Sequence, residues 1–211
     1  MKTEHLIGAL VADLDTPVAE VKSRLRRLLP WAAFIVAVSF LSVFGIRGDV
    51  ATTGLVPVLG KVTVGLVVAT SGLVAAVHLS RPDRPAAGGI WVLFLVPMIA
   101  ATVVAADHFL SGSPQWSMRL FGKSFIACLT IIPLLAALPL GVVLWSLRDG
   151  ATPAPATAGA LAGFASAGIA IVVYGLYCIE DALPFVATWY VLASCLVAAA
   201  GAVGGRLLLR W

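Results

Sequence analysis

Six stretches of this sequence are free of charged residues and long enough to cross a bilayer. They lie between Arg27 and Arg47, Lys61 and Arg81, Arg84 and Asp107, Lys123 and Arg148, Asp149 and Glu180, and Asp181 and Arg206. A helix needs about 17–25 apolar residues to span the hydrocarbon core. The stretches at 50–60 and 109–118 are too short and too rich in Gly, Pro, Ser or Thr. In lipid, only helices and closed barrels satisfy their own backbone polar groups. The chain is 61% hydrophobic and 11% charged, whereas a soluble domain carries about 25% charged residues. The expected fold class is therefore an all-α integral membrane protein with six transmembrane helices. Charges of both signs precede the first apolar run, which begins at Leu28, so no cleavable leader is expected.

Orientation follows from the Lys and Arg residues. Six spans put both termini on one side. That side holds Lys2, Lys22, Arg24, Arg26, Arg27, Arg81, Arg84, Arg148, Arg206 and Arg210, ten of the fourteen. The other side holds Arg47, Lys61, Arg119 and Lys123. The ten are expected to be cytoplasmic, giving an N-in/C-in, multi-pass protein. The net charge of +4 is then a topology signal, and direct nucleic-acid binding is not expected.

Residues 1–27 form the only stretch long enough for a cytoplasmic head, and residues 28–211 form the six-helix transmembrane domain. Thr3 can cap a first helix, in which Leu6, Ile7, Leu10, Val11 and Leu14 share one face. Asp15-Thr16-Pro17 ends that helix and starts another, with Pro17 at its first position. Val18, Val21, Leu25 and Leu28 then carry an apolar stripe into the first span. Such a head either lies in the lipid headgroups or offers an amphipathic helix to a partner. The acids at Glu4, Asp13 and Asp15 count against the membrane surface, because anionic headgroups attract Lys and Arg.

The chemistry of most enzymes is missing. There is no phosphate-cradling Gly-rich loop, no His-Glu-x-x-His and no Cys-x-x-Cys. His5, His78 and His108 are divided between the two sides. No Asp, Glu, Lys or Arg stands at mid-span, where ion-coupled transporters usually need one. Pro97, Pro133 and Pro139 are candidate kinks. Gly159 with Gly163, and Gly201 with Gly205, have the spacing that lets helices approach closely.

What remains is three cysteines and one unusual junction. Cys178-Ile-Glu180-Asp181-Ala-Leu-Pro184-Phe185-Val-Ala-Thr-Trp189-Tyr190 joins the last two apolar runs. It packs a thiol, two carboxylates, a helix-starting proline and an aromatic pair into a chain otherwise sparing of polar groups. At 1.5 Å per helical residue, Cys128 lies about 7 Å inside the fourth span and Cys178 about 3 Å below Glu180. Both face the external compartment at similar depth. Together with Glu180 and Asp181 they are the candidate signal-sensing site. The thiols could take a thiophilic ion such as Zn, Cd or Cu(I), or close as a disulfide, or simply pack. No resident cofactor is expected beyond such a transient metal ion. Cys195, near mid-membrane, is expected to be a small packing residue.

Several segments resemble the NrsF family. They are Met1 to Leu10, the Pro17-Val18 pair with Arg24-Leu25, the Cys128 to Pro133 region, the Cys178 to Tyr190 block, and the terminal Gly205-Arg-Leu-Leu-Leu-Arg-Trp211. The similarity covers essentially the whole chain. Where the family block often has Ser before the proline region, this chain has Ala182 and Leu183. The resemblance implies a six-span protein of the bacterial inner membrane that acts as an anti-sigma factor for an extracytoplasmic-function (ECF) sigma factor. It implies that the head holds the sigma factor, and the shared face of Leu6, Ile7, Leu10, Val11 and Leu14 is the expected contact. It also implies that Cys128 and Cys178 match a cysteine pair linked to a periplasmic metal or oxidative signal. Cys195 has no counterpart.

The competing readings are a small transporter of metal or small solute, which would need a polar path, and a thiol-redox membrane enzyme, which would need a reactive thiol motif or a quinone site. The orientation is open to direct measurement. Reporter fusions after Asp49, Ser113 and Asp181 should read as external and one after Asp83 as internal. The reverse pattern would put the cysteine pair in the cytoplasm and defeat the sensing argument.

Overall fold

The computed structural model describes residues 21–49, 54–80, 87–111 and 116–209. All regular structure among the described residues is helical. The helices are α1 (Val21–Phe44), α2 (Val56–Leu79), α3 (Ala87–Ser111), the short α4 (Trp116–Phe121), α5 (Phe125–Leu147), α6 (Pro155–Gly175) and α7 (Leu183–Leu208). Six are long and apolar enough to cross a membrane, counting α4 and α5 as one run, Trp116–Leu147. Each covers most of one charge-free stretch, and several run past it: α1 includes Lys22, Arg24, Arg26 and Arg27, and α2 includes Lys61. Pro30, Pro97, Pro133 and Pro139 all lie inside continuous helices. The head residues Leu6, Ile7, Leu10, Val11 and Leu14 lie outside the described residues. From Val21 onward the chain runs unbroken into the first span.

α6 is the hub. Some 78% of its membrane window is buried, against none of α3's. α2 and α7 pack along it most extensively, and α5 and α1 also pack on it. The reason is its composition. Lipid tails are as apolar as Leu, so helices associate in a bilayer through close packing rather than through a hydrophobic drive. α6 is largely Ala and Gly over residues 156–170, and small residues let backbones touch. Gly159 and Gly201 sit across from each other so closely that a Cβ on either would strike the other's carbonyl oxygen. Gly163 abuts Val197 and Ala198, and Gly205 abuts Pro155 and Gly159. The two small-residue pairs of the sequence thus meet as one seam. A second seam, along Gly65, Ala69 and Gly72 of α2, faces Ala165 and Gly168 of α6.

Two apolar clusters cap the bundle at opposite ends. One gathers Leu25, Ala76, Leu79, Leu144, Leu147, Leu161 and Leu209. It holds both ends of the described chain, beside the Arg24–Asp149 ion pair of 2.6 Å. The other gathers Phe40, Cys128, Ile132, Tyr174, Cys178, Phe185 and Tyr190. The first marks the basic end of the bundle and the second the thiol end.

Two details depart from the sequence-based expectation. α6 stops at Gly175 instead of running to Glu180, so Cys178 stands on non-helical chain. Two cations occupy its carbonyl, a partner that the next helical turn would otherwise supply. Cys195 is exposed, so it is not a packing residue.

The Gly seam predicts a sharp asymmetry. Gly201→Val should destabilise the bundle by about 3 kcal/mol or more, since backbone cannot yield as a side chain does. Gly141→Ala, with nothing within 4 Å of the added Cβ, should be neutral or slightly stabilising. Thermal unfolding of the purified protein in detergent distinguishes the two.

Candidate functional site: a thiol pair beneath a buried charge node

The site is assembled where α6 ends. The amides of Tyr177 and Cys178 both donate to Tyr174 O, at 3.0 and 2.9 Å, closing the last turn. The chain then runs without helix through Asp181. It re-enters helix at Leu183–Phe185, with Pro184 in the first turn, where its missing N–H costs nothing. Residues Val186–Tyr190 continue as a π-helical turn before the regular helix of Val191–Leu208. Such turns are rare and are frequently found at functional sites.

Cys128 occupies the first turn of α5, fully buried, and Cys178 is 2% exposed. Both thiols belong to one buried cluster. The Cys128 thiol also donates to Tyr174 Oη at 3.5 Å. Cys178 Sγ lies 4.0 Å from the carbonyl oxygen of Glu180. Residues 50 apart in sequence are therefore side by side, reduced, in a shell of Tyr174, Tyr190 and Phe185.

Above the thiols stands a node of four charges. The Arg47 side chain is wholly buried and Lys61 nearly so. Arg47 clasps two carboxylates at once. Nε and Nη2 donate to Asp49 at 2.6 and 2.8 Å, and Nη1 and Nη2 donate to Asp181 at 2.7 and 2.8 Å. Lys61 Nζ reaches the same Asp181 at 2.6 Å. Both cations also hold the Cys178 carbonyl, Lys61 at 2.8 Å and Arg47 at 3.2 Å. The Arg47 amide donates to Leu176 O at 3.1 Å. The chain around Cys178 is thus pinned to the ends of α1 and α2.

The node is balanced and strongly ionised. The hydrogen bonds from Arg47 are the first cause holding Asp49 and Asp181 below the usual carboxylate range. Asp49 and then Asp181 hold the guanidinium protonated. A carboxylate with a depressed folded pKa stabilises fully above its unfolded value and loses that contribution as pH falls through the folded one. The node is therefore complete at neutral pH and opens only in strong acid.

The predicted site residues separate into roles. Cys128 and Cys178 come together. Asp181 faces the cations. Glu180 accepts the Lys123 amide at 2.8 Å, tying the junction to the turn between α4 and α5. Trp189 Nε1 donates to Leu120 O at 2.8 Å, fastening the π turn to the end of α4. Asp107 pairs with Arg119 at 2.9 Å, and His108 lies against Trp116 with ring centroids 4.6 Å apart. Among the described residues, no group of three or more His, Cys, Asp or Glu could hold a metal ion. A soft ion entering here would rest on the two thiolates. Sequence reasoning missed Arg47, Lys61, Tyr174 and Tyr190. The first two were visible as a pair of cations flanking one loop opposite a pair of acids at the next junction but one.

The family described as negative regulator of sigma F, NrsF, matches residues 10–211. A probable anti-sigma-F factor NrsF of Azospira oryzae is 33% identical over 219 residues, spanning all of both chains. An anti-sigma-F factor NrsF of Caulobacter vibrioides is 31% identical over 220 residues, again across both full lengths. No solved structure matches the chain. With a match that runs through every span and the whole Cys178 to Tyr190 block, this protein belongs to the NrsF family, which is regulatory and not enzymatic.

Proposed function

We propose that this chain is a bacterial inner-membrane anti-sigma factor. It holds an ECF sigma factor through residues 1–27 and releases it when the Cys128–Cys178 pair is tied by a thiophilic metal ion or oxidised to a disulfide. The relatives named as anti-sigma-F factors support the first half. One observation carries the second: both thiols are buried in one cluster, and the Cys178 carbonyl is held by a residue just beyond α1. α1 begins at Val21, within the head segment, and ends three residues before Arg47. Drawing Cys178 toward Cys128 moves the carbonyl that Arg47 and Lys61 share, and so biases the outer ends of α1 and α2. A signal can shift an equilibrium only by its differential affinity for the two states, and a buried node with discrete partners gives such states.

Among the described residues, the transporter reading finds no polar path. The buried hydroxyls of Ser166 and Ser194 bond back to the carbonyls of Ala162 and Tyr190 on their own helices, each at 2.8 Å. A groove of about 310 Å³ beside α3 has an almost wholly apolar lining, including Val67, Ile99 and Val191.

Two experiments separate the halves of the proposal. Leu10→Asp should release the sigma factor and switch on its regulon while the protein stays in the membrane. A few buried anchors usually dominate such interfaces, each costing about 2 kcal/mol or more when lost. Unchanged repression in Leu10→Asp and in a deletion of residues 2–14 would show that the head is only an anchor. Cys128→Ser and Cys178→Ser should each blunt induction by Cd or oxidant, with basal repression and protein level unchanged. Full induction in the double variant would end the sensing role of the pair.

A further inference from the structure

We propose that a wedge between α1 and α2 at the basic end binds one anionic phospholipid, with the phosphate held by Lys22, Arg26 and His78. α1 packs on α5 and α6, whereas α2 packs on α6 and α3. The first two helices therefore diverge, leaving a groove of about 620 Å³ between them. Its walls are apolar, with Leu29 on α1, Val74 on α2 and Ile169 of α6 as the floor. Lys22 and Arg26, one turn apart, and His78, in the last turn of α2, line the same groove.

The surroundings dictate the occupant. The groove lies between two helices long and apolar enough to cross a membrane, so hydrocarbon fills its apolar depth. A free phosphate would leave that depth empty. Among the described residues, the neighbouring Arg24 is neutralised by Asp149, while Lys22, Arg26 and His78 have no ion pair. Arg26 and Lys22 supply charge, and the imidazole supplies a donor in either protonation state. Basic pockets between transmembrane helices bind anionic headgroups in this way. From Lys22 to Ala33 the groove runs about 16 Å along α1 at 1.5 Å per residue, a depth suited to an acyl chain. The lipid would thus sit where α1 leaves the head.

The test uses the full-length protein reconstituted in vesicles of equal phosphatidylglycerol and phosphatidylcholine, extracted gently and weighed by native mass spectrometry. One phosphatidylglycerol should be retained in preference to phosphatidylcholine. Each basic residue near a membrane surface contributes about fivefold, so K22Q/R26Q should lower that retention on the order of twentyfold. R206Q, which removes an exposed charge at the same end, should leave retention unchanged. V74F should fill the groove and abolish retention of either lipid, and Val74 is exposed enough to tolerate it. No preference for phosphatidylglycerol, or an equal loss in R206Q, would overturn the site. Retention that rises when residues 2–14 are deleted would also overturn it, by making the head the native occupant.

Discussion

Close approach of helix backbones at α6 is the constraint on which everything else rests. A bilayer offers no hydrophobic reward for bringing two apolar helices together, so contact must come from packing. Ala and Gly along α6 permit α2 on one side and α7 on the other to come within backbone reach. That geometry also builds the site. A Cβ on Gly175 would lie 3.1 Å from Lys61 Cβ, so the bare end of α6 is what admits Lys61 to the Cys178 carbonyl. The same helix that orders the bundle therefore delivers the cation to the thiols.

The charge node is better understood as a device for specificity than as a source of stability. Desolvating ions is expensive, and a buried pair often contributes little net stability against apolar side chains of the same shape. Breaking it is another matter, because it strands an uncompensated charge. Arg47 and Lys61 bring two positive charges, and Asp49 and Asp181 bring two negative ones. Any displacement of Cys178 must keep that balance or exchange partners wholesale. A node of this kind gives the junction few arrangements instead of a continuum, as a switching element requires. The tyrosines beside the thiols add an apolar wall, which keeps the pair dry at the edge of the hydrocarbon.

The basic end is built differently. Among the described residues, its apolar cluster is held by aliphatic contacts and the Arg24–Asp149 bridge, with Arg24 also lying over the Trp145 ring at 5.4 Å. The first span touches few neighbours along its length, and only 17% of its window is buried. It is fastened firmly at the thiol end by Arg47 and loosely elsewhere.

The sequence by itself determined the six spans, because lipid forces unbroken apolar helices and charges can mark only their ends. It also marked the junction from Cys178 to Tyr190, whose polar groups are conspicuous against hydrocarbon. The pairing of Gly159 and Gly163 with Gly201 and Gly205 was legible as spacing, though spacing could not say that the two pairs face each other. Only the tertiary structure decided that Arg47 and Lys61 are buried partners of Asp181 instead of solvated topology markers. Periodicity reports which face of one helix is apolar, whereas those cations meet a carboxylate more than a hundred residues away. It likewise ended α6 at Gly175, since a local pattern of apolar residues cannot foresee that two distant side chains will claim the carbonyl of Cys178.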